Sequence, residues 1–252
     1  MSVAVLRPIA PAPESRAGLT LGMAQLSPFG LSEQWLLRDC GDRHWGLIAE
    51  AAGSGMAFHS ADGTPVYAAF CATSVTLATA PKLGSQAEVQ SRLFDVAPHR
   101  IGSVHHVTGP SGRLATVRMI SCFLSHDGSG SNRRLFRNTL AGLDDLPPPP
   151  ADLVGLLDRS RVLARMARAT QGDETLLQYT PLPALDFNAV GLLYFPVFSK
   201  IAEMAAQTTP LQHRTVVHLG NIDPGETVTV SHAGPQLLLQ AGDRTIGITE
   251  SG

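Results

Sequence analysis

The stretch "DFNAVGLLYFPVF", Asp186 to Phe198, decides how the rest of the chain is read. Its first half is loop-like, because Asp186 and Asn188 favour turns and Gly191 interrupts a regular element. Its second half starts a helix. Pro196 is acceptable in a first turn, and Phe198, Ile201, Ala202 and Ala205 follow at helical spacing as one apolar stripe. Before the loop, "LLQYT" has strand character. After the helix, "HRTVVHLGNI", "ETVTVSHAG", "QLLLQAG" and "RTIGITES" read as hairpin-linked strands, with Asp223-Pro224-Gly225 as a turn.

The N-terminal half repeats this order. In "GLSEQWLLRDCGDRHW", Gly30 to Trp45, Ser32 is an N-cap, and Trp35, Leu36, Leu37 and Cys40 form a short amphipathic set. Gly41 suits the end of that helix and Asp42 the cap of a second one, which carries Trp45, Ile48, Ala49 and Ala52 and stops at Gly53. "PVYAAFCATSVTLA", "SQAEVQSRLFDVAPHR", "IGSVHHVTG" and "LATVRMISCFLS" then read as long strands. A helix followed by an antiparallel meander, given twice, predicts an α+β protein made of two sheets, each wrapped around a central helix.

The seam lies at "DDLPPPPADL", where four prolines favour a stiff extended linker, preceded by the flexible, polar "HDGSGSNRRLFRN". The expected divisions are a loose leader over 1–20, a first unit over 21–146, a linker over 147–150 and a second unit over 151–252. The 252 residues are enough for one large domain or two smaller ones. A net charge of −2 with 16% charged residues gives no electrostatic reason to expect nucleic acid or an anionic membrane as partner. No apolar run reaches the roughly 18 residues that span a bilayer, and the leader lacks the build of a signal peptide. Cys40, Cys71 and Cys122 are too few and scattered for a disulfide framework or a zinc site. They are expected as small buried hydrophobes in a reducing cytoplasm.

The Asp186–Phe198 segment closely resembles the motif leading into the central helix of hotdog-fold acyl-thioesterases: Asp-x-Asp, two residues, Gly, two apolar residues, an aromatic pair, Pro. Asp186, Gly191, Leu192, Leu193, Tyr194, Phe195 and Pro196 keep that pattern, and Asn188 replaces the catalytic aspartate. With "PFGLSEQWLLRDCGDRHW", "VYAAFCATSV" and "HLGNIDPGETV", the chain from about Leu21 to Gly247 resembles the family of the leinamycin-pathway bifunctional acyltransferase/decarboxylase of polyketide biosynthesis. The resemblance implies a tandem, or double, hotdog fold. It also implies decarboxylation of methylmalonyl-coenzyme A and passage of the propionyl group to an acyl carrier protein. A tyrosine is implicated in that family, and Tyr67 is the matching position.

Against that background Tyr67 is the expected catalytic residue, since a phenol can donate to a thioester carbonyl or, once deprotonated, attack it. Asn188 is the second, though an amide cannot act as a general base, so hydrolysis is expected to be slow. Ser32, Glu33, Asp42, His44, Trp45, Asp186 and Gly191 are the expected substrate-binding set. A helix N-terminus at Gly41–Trp45 would stabilise the enolate that follows loss of CO₂. Each of these residues also has a plain structural role available as cap, turn or core. Adjacent His105 and His106 point to opposite sides of a strand, and neither metal spacing nor a phosphate loop is present. Coenzyme A is therefore expected as a substrate thioester rather than a resident cofactor, with Arg133 and Arg134 as its basic contacts and a homodimer as the possible assembly. The alternatives are a dehydratase- or thioesterase-like enzyme, or a non-catalytic module that binds acyl carrier protein.

Overall fold

The computed structural model of the chain describes residues 12–206 and 210–252. The first half comprises β1 (Glu14–Thr20), β2 (Leu26–Ser27), β3 (Gly30–Leu31), α1 (Glu33–Ala51), β4 (Phe58–His59), β5 (Pro65–Leu77), β6 (Gln86–Ala97), β7 (Arg100–Gly109), β8 (Gly112–His126) and β9 (Leu135–Arg137). After α2 (Ala151–Ala169) the second half follows: β10 (Thr175–Tyr179), α3 (Pro183–Asp186), α4 (Phe195–Ala206), β11 (His213–His218), β12 (Val228–Ala233), β13 (Gln236–Ala241) and β14 (Arg244–Ser251). Ten of these strands run side by side in the order β1-β6-β7-β8-β5-β11-β14-β13-β12-β10, and β4 and β9 extend β5 and β8. The halves join where β11 pairs antiparallel with β5, Arg214 opposite Val75 and Val217 opposite Ala72.

Helix α1 begins at Ser32, whose hydroxyl accepts a hydrogen bond from the Trp35 N–H at 3.3 Å. Leu36, Leu37, Cys40, His44, Leu47 and Ile48 recur every three or four residues and are buried against the first half of the sheet. The helix runs unbroken through Gly41-Asp42, so the expected break, and with it the second N-terminus capped by Asp42, is absent. A Cβ on Gly41 would lie 2.9 Å from Cε1 and Cζ of Phe195. Glycine is there so that α1 can pass close to α4, not to end a helix. Helix α4 buries Val197, Phe198, Ile201 and Ala202 against Val216, Ile222, Val228, Val230 and Leu239.

Two opposite results are therefore expected within one helix. A Cβ on Gly46 would meet no heavy atom within 4 Å, so Gly46→Ala removes only the glycine's helix cost and stabilises by about 1 kcal/mol. Gly41→Ala drives a methyl into the Phe195 ring and destabilises by about 1–3 kcal/mol. Urea titrations of the two variants check the signs.

Helix α2, which the sequence reading takes as the start of the second unit without assigning it an element, crosses the sheet face opposite α1 and α4. Leu153, Leu156 and Leu157 pack on Ala72, Val104 and Ile120 of the first half, while Leu163 and Ala167 pack on Val217, Leu238 and Ile248 of the second. The proline run leading into it is docked, with the Pro147 carbonyl accepting from the Asp95 N–H at 2.9 Å.

Two segments expected to be loose are held. Residues 14–20 of the expected leader form β1 and pair with β6 from Glu14–Arg92 to Thr20–Gln86, because a strand edge satisfies their backbone groups. Residues 1–11 lie outside the described residues. In the polar segment before the seam, Asn132 is buried, and its side-chain amide donates to the carbonyls of Gly191 (2.6 Å) and Ile222 (2.8 Å) in the other half.

Candidate active site

Between the halves lies a cleft of about 1200 Å³. It exists because two pairings of β5 stop short of each other. β4 covers Pro65 and Val66, and β11 pairs only as far as Ala72. Among the described residues, the β5 edge from Tyr67 to Cys71 has no strand partner on that side and faces the cleft. The Trp45 indole N–H donates to the Ala68 carbonyl at 3.2 Å, and its ring stacks on Phe58.

Part of the lining is apolar: Phe70, Leu193, Phe195 and Phe198 belong to it, and the Phe70 and Phe195 rings are 4.2 Å apart. Another part is cationic. Arg161, Arg165 and Arg168 reach it from one side of α2 at helical spacing, and Arg100 and Arg137 reach it from β7 and β9.

The structure divides the expected site residues. Tyr67, Asn188, Asp42 and Trp45 line this cleft. Partial desolvation, with the Asp39 charge beside it, raises the carboxyl of exposed Asp42 above its ordinary range. The Asn188 side-chain oxygen accepts from the Val190 (3.2 Å) and Leu192 (3.0 Å) N–H groups and so shapes the turn in which Gly191 takes φ +79°.

Ser32, Glu33, His44, Asp186 and Gly191 have structural employment away from the cleft lining. Ser32 is the α1 cap. Gly191 supplies the left-handed turn and a carbonyl for Asn132. Asp186 is 1% exposed and accepts from the Tyr179 hydroxyl (2.7 Å), the Leu182 N–H (2.9 Å) and the Lys200 ammonium. Burial pushes its carboxyl up, but Lys200, Tyr179 and Leu182 together outweigh this and hold it below the usual range. Glu33 is an ion-pair partner of buried Arg214, at 2.6 Å. Arg133 lines the cleft but is engaged by Asp223 and Glu226, and Arg134 pairs with Asp127 outside it.

His44 belongs to a sealed chain of hydrogen bonds across α1, β8, β7 and β6. Its Nε2 bonds Ser121 Oγ (2.8 Å) and its Nδ1 bonds Ser103 Oγ (2.7 Å). Ser103 in turn bonds His105 Nε2 (2.7 Å), and His105 Nδ1 bonds Ser91 Oγ (2.8 Å). Every ring nitrogen is partnered, as burial demands.

No family model matches the sequence, and no curated protein matches it. Solved structures do. An acyl-ACP thioesterase from Bacteroides thetaiotaomicron superposes with TM-score 0.68 at 8% identity, over 95% of this chain and 97% of the other. An oleoyl thioesterase (putative) from Lactobacillus plantarum gives 0.64 at 13%, over 96% of both chains. The 12:0-ACP thioesterase from Umbellularia californica gives 0.61 at 12%, over 94% and 92%. The chain is a double hotdog. Such low identity establishes the fold alone.

Three features on the cleft of this double hotdog carry no local signal in the sequence. One is the arginine stripe of α2. Another is the pair Cys71 and Cys122, expected in the core but found on the cleft lining. The third is His218, whose ring packs edge-on to Phe198 at 4.7 Å with neither nitrogen hydrogen-bonded among the described residues.

Burial drives both His44 and His218 down to about 3, and His105 well below its ordinary value, with the charges of His44 and Arg43 contributing there. All three are neutral when folded, while in the unfolded chain each takes up a proton near pH ~6.5. The unfolded state thus binds more protons below that pH, and stability falls as pH falls through it. The three histidines together are expected to cost on the order of 4 kcal/mol between pH 7 and 5.5. Denaturant titrations at a series of pH values test this; a flat profile over that window would contradict it.

No helix among the described residues is long and apolar enough to cross a membrane.

Proposed function

We propose that this double hotdog transfers an acyl group from coenzyme A to an acyl carrier protein, with decarboxylation of a malonyl-type thioester, at the cleft between its halves. The observation that carries this reading is the cleft's polarity. Aromatic, apolar side chains and a set of arginines line the same cleft, and a coenzyme A thioester has an apolar acyl end and an anionic phosphate end.

Tyr67 stands on the open edge of β5 within this groove and, in this reading, donates to the thioester carbonyl. When the carboxylate carbon–carbon bond breaks, its electron pair moves toward that carbonyl, CO₂ leaves, and an enolate forms that a hydroxyl or backbone N–H donor stabilises. The unpaired backbone edge beside Tyr67 supplies such donors. Carbon then takes a proton from solvent, the pantetheine thiolate of the carrier attacks the acyl carbon, and the bond from that carbon to the coenzyme A sulfur breaks, coenzyme A leaving as its thiolate and taking a proton. Arg165 and Arg168 have no carboxylate partner among the described residues and are suited to hold phosphate.

The competing reading is hydrolysis, the activity named for the three thioesterases that share the fold. Asn188 speaks against it, because its oxygen is spent on two backbone N–H groups and its amide takes no proton. Asn188→Asp preserves the turn with one carboxylate oxygen and frees the other. It is expected to fold normally and to raise thioester hydrolysis at least about tenfold, still below the ~10²-fold and more that a well-positioned base contributes. Mass spectrometry of a carrier protein incubated with acyl-, malonyl- and methylmalonyl-coenzyme A tests the main reading. Transfer with loss of CO₂ supports it. Free acid as the main product favours hydrolysis, and binding of carrier without turnover favours a non-catalytic module.

A further inference from the structure

Cys122 and its neighbours form a cluster that the mechanism above does not use. Cys122 lies on β8 opposite Ala69 of β5, and β7 pairs with β8 up to Ile101–Ser121, which sets Arg100 alongside it. The β5–β8 register shifts between Phe70 and Ala72, leaving Cys71 as the extra residue of a bulge. Bulges re-aim side chains, and this one sets Cys71 next to the Ala69–Cys122 pair, with the Cys71 thiol donating to the Ala69 carbonyl at 3.9 Å. Arg137 arrives from β9, opposite Leu124, two residues along the same strand. Cys71, Cys122, Arg100, Arg137 and Tyr67 all line the cleft.

The environment is that of a reactive rather than a structural cysteine. Arg100 and Arg137 form no ion pair among the described residues, so their charge is available to a thiolate. A hydrogen bond from Cys71 pulls the Cys122 thiol below its ordinary range, burial opposes this, and the two guanidiniums add to the lowering; Cys71 is pushed up in return. Cys40 is the internal contrast, fully buried in α1, its thiol raised by desolvation and out of reach of the cleft.

We propose that Cys122 is a covalent acyl-carrying residue of the cleft. Its thiolate attacks the carbonyl carbon of a bound acyl-coenzyme A, a bond forms between Cys122 Sγ and the acyl carbon, and the bond from that carbon to the coenzyme A sulfur breaks. The departing thiolate takes a proton from solvent. One thioester is exchanged for another, so no oxidant or reductant is needed, and the pantetheine thiolate of a carrier removes the acyl group by the same step. This inference rests on reading the cleft as an acyl-thioester site.

The test is a single-turnover incubation of reduced protein with propionyl-coenzyme A and no carrier, quenched in acid and analysed by intact mass and peptide mapping. The expected result is one propionyl group on the Cys122 peptide, released by neutral hydroxylamine and missing from Cys122→Ala and Cys122→Ser. In parallel, iodoacetamide at pH 7 is expected to alkylate Cys122 at least about tenfold faster than Cys40, and Arg100→Ala with Arg137→Ala to slow that labelling. An acyl group found on Tyr67 instead, or propionyl transfer to carrier at equal rates in wild type and folded Cys122→Ala, overturns the proposal but leaves the cleft as a thioester site. Failure of the wild type to consume any of the acyl-coenzyme A thioesters, with Cys122 still the fastest-alkylated cysteine, overturns the reading of the cleft and this proposal with it.

Discussion

Arg214→Met is expected to destabilise the protein by about 3–5 kcal/mol, a fall in Tm of roughly 10 °C for a chain of this size. The Arg214 side chain is 1% exposed where the two halves of the sheet meet. It donates to Glu33 in the first turn of α1 (2.6 Å), to Glu203 and the Ser199 hydroxyl (3.2 Å) of α4, and to the Ser251 hydroxyl (3.0 Å) of β14. One guanidinium thus ties both central helices to the sheet. Burial raises the Glu33 carboxyl, the nearby Arg214 charge opposing it, which is the behaviour of a carboxylate cut off from water. Without Arg214 that carboxylate is buried with no counter-charge, and its neutralisation by proton uptake limits the loss rather than abolishing it. Methionine keeps most of the packing, so the loss measures charge removal. Adding Glu33→Gln and Glu203→Gln to Arg214→Met is expected to recover part of it, because no uncompensated charge then remains. A loss below about 1 kcal/mol in urea titration would place Arg214 in the class of screened surface pairs.

Tyr67→Phe is expected to lower acyl transfer about a hundredfold, or roughly 3 kcal/mol in the barrier, while the protein keeps its fold. The ring is retained, so its edge-on contact with His126 survives, with centroids 5.6 Å apart. Only the hydroxyl is lost, worth about 1 kcal/mol of stability at most where it is bonded. The two measurements needed are transfer to carrier protein and thermal unfolding of the same preparation. A hundredfold loss with unchanged unfolding supports a hydroxyl that touches the thioester. Near-normal transfer would return Tyr67 to a packing role.

The strands of both halves are legible because their alternating Val, Thr and Ile runs are cut by Gly, Pro and Asp at each hairpin, and such signals are local. Helix α4 is legible for the same reason. What cannot be read depends on residues far apart in sequence. Gly41 carries the local mark of a helix end, but its cause is Phe195, which only the folded chain brings alongside. His44 sits in α1, while its partners Ser103 and Ser121 stand on two different strands. Asp186 resembles a site residue by its motif, yet Lys200, one helix further on, claims it. The Cys71–Cys122 pair needs a bulge that no composition announces. Helix α2 shows helical spacing at Leu153, Leu156, Leu157, Ser160 and Leu163, but the proline run before it and its exposed arginines mask the pattern.

That same helix sets an order of events as the chain leaves the ribosome. Synthesis runs from the N-terminus, so every strand of the first half is made before α2. The outer face of that half, with Ala72, Val104 and Ile120, therefore waits uncovered until Leu153, Leu156 and Leu157 emerge and settle on it. The far half of α2, with Leu163 and Ala167, carries the apolar surface on which the strands still to be made will pack. Val217, Leu238 and Ile248 come last and close onto it, so α2 acts as a landing site for a half of the protein that has not yet been translated.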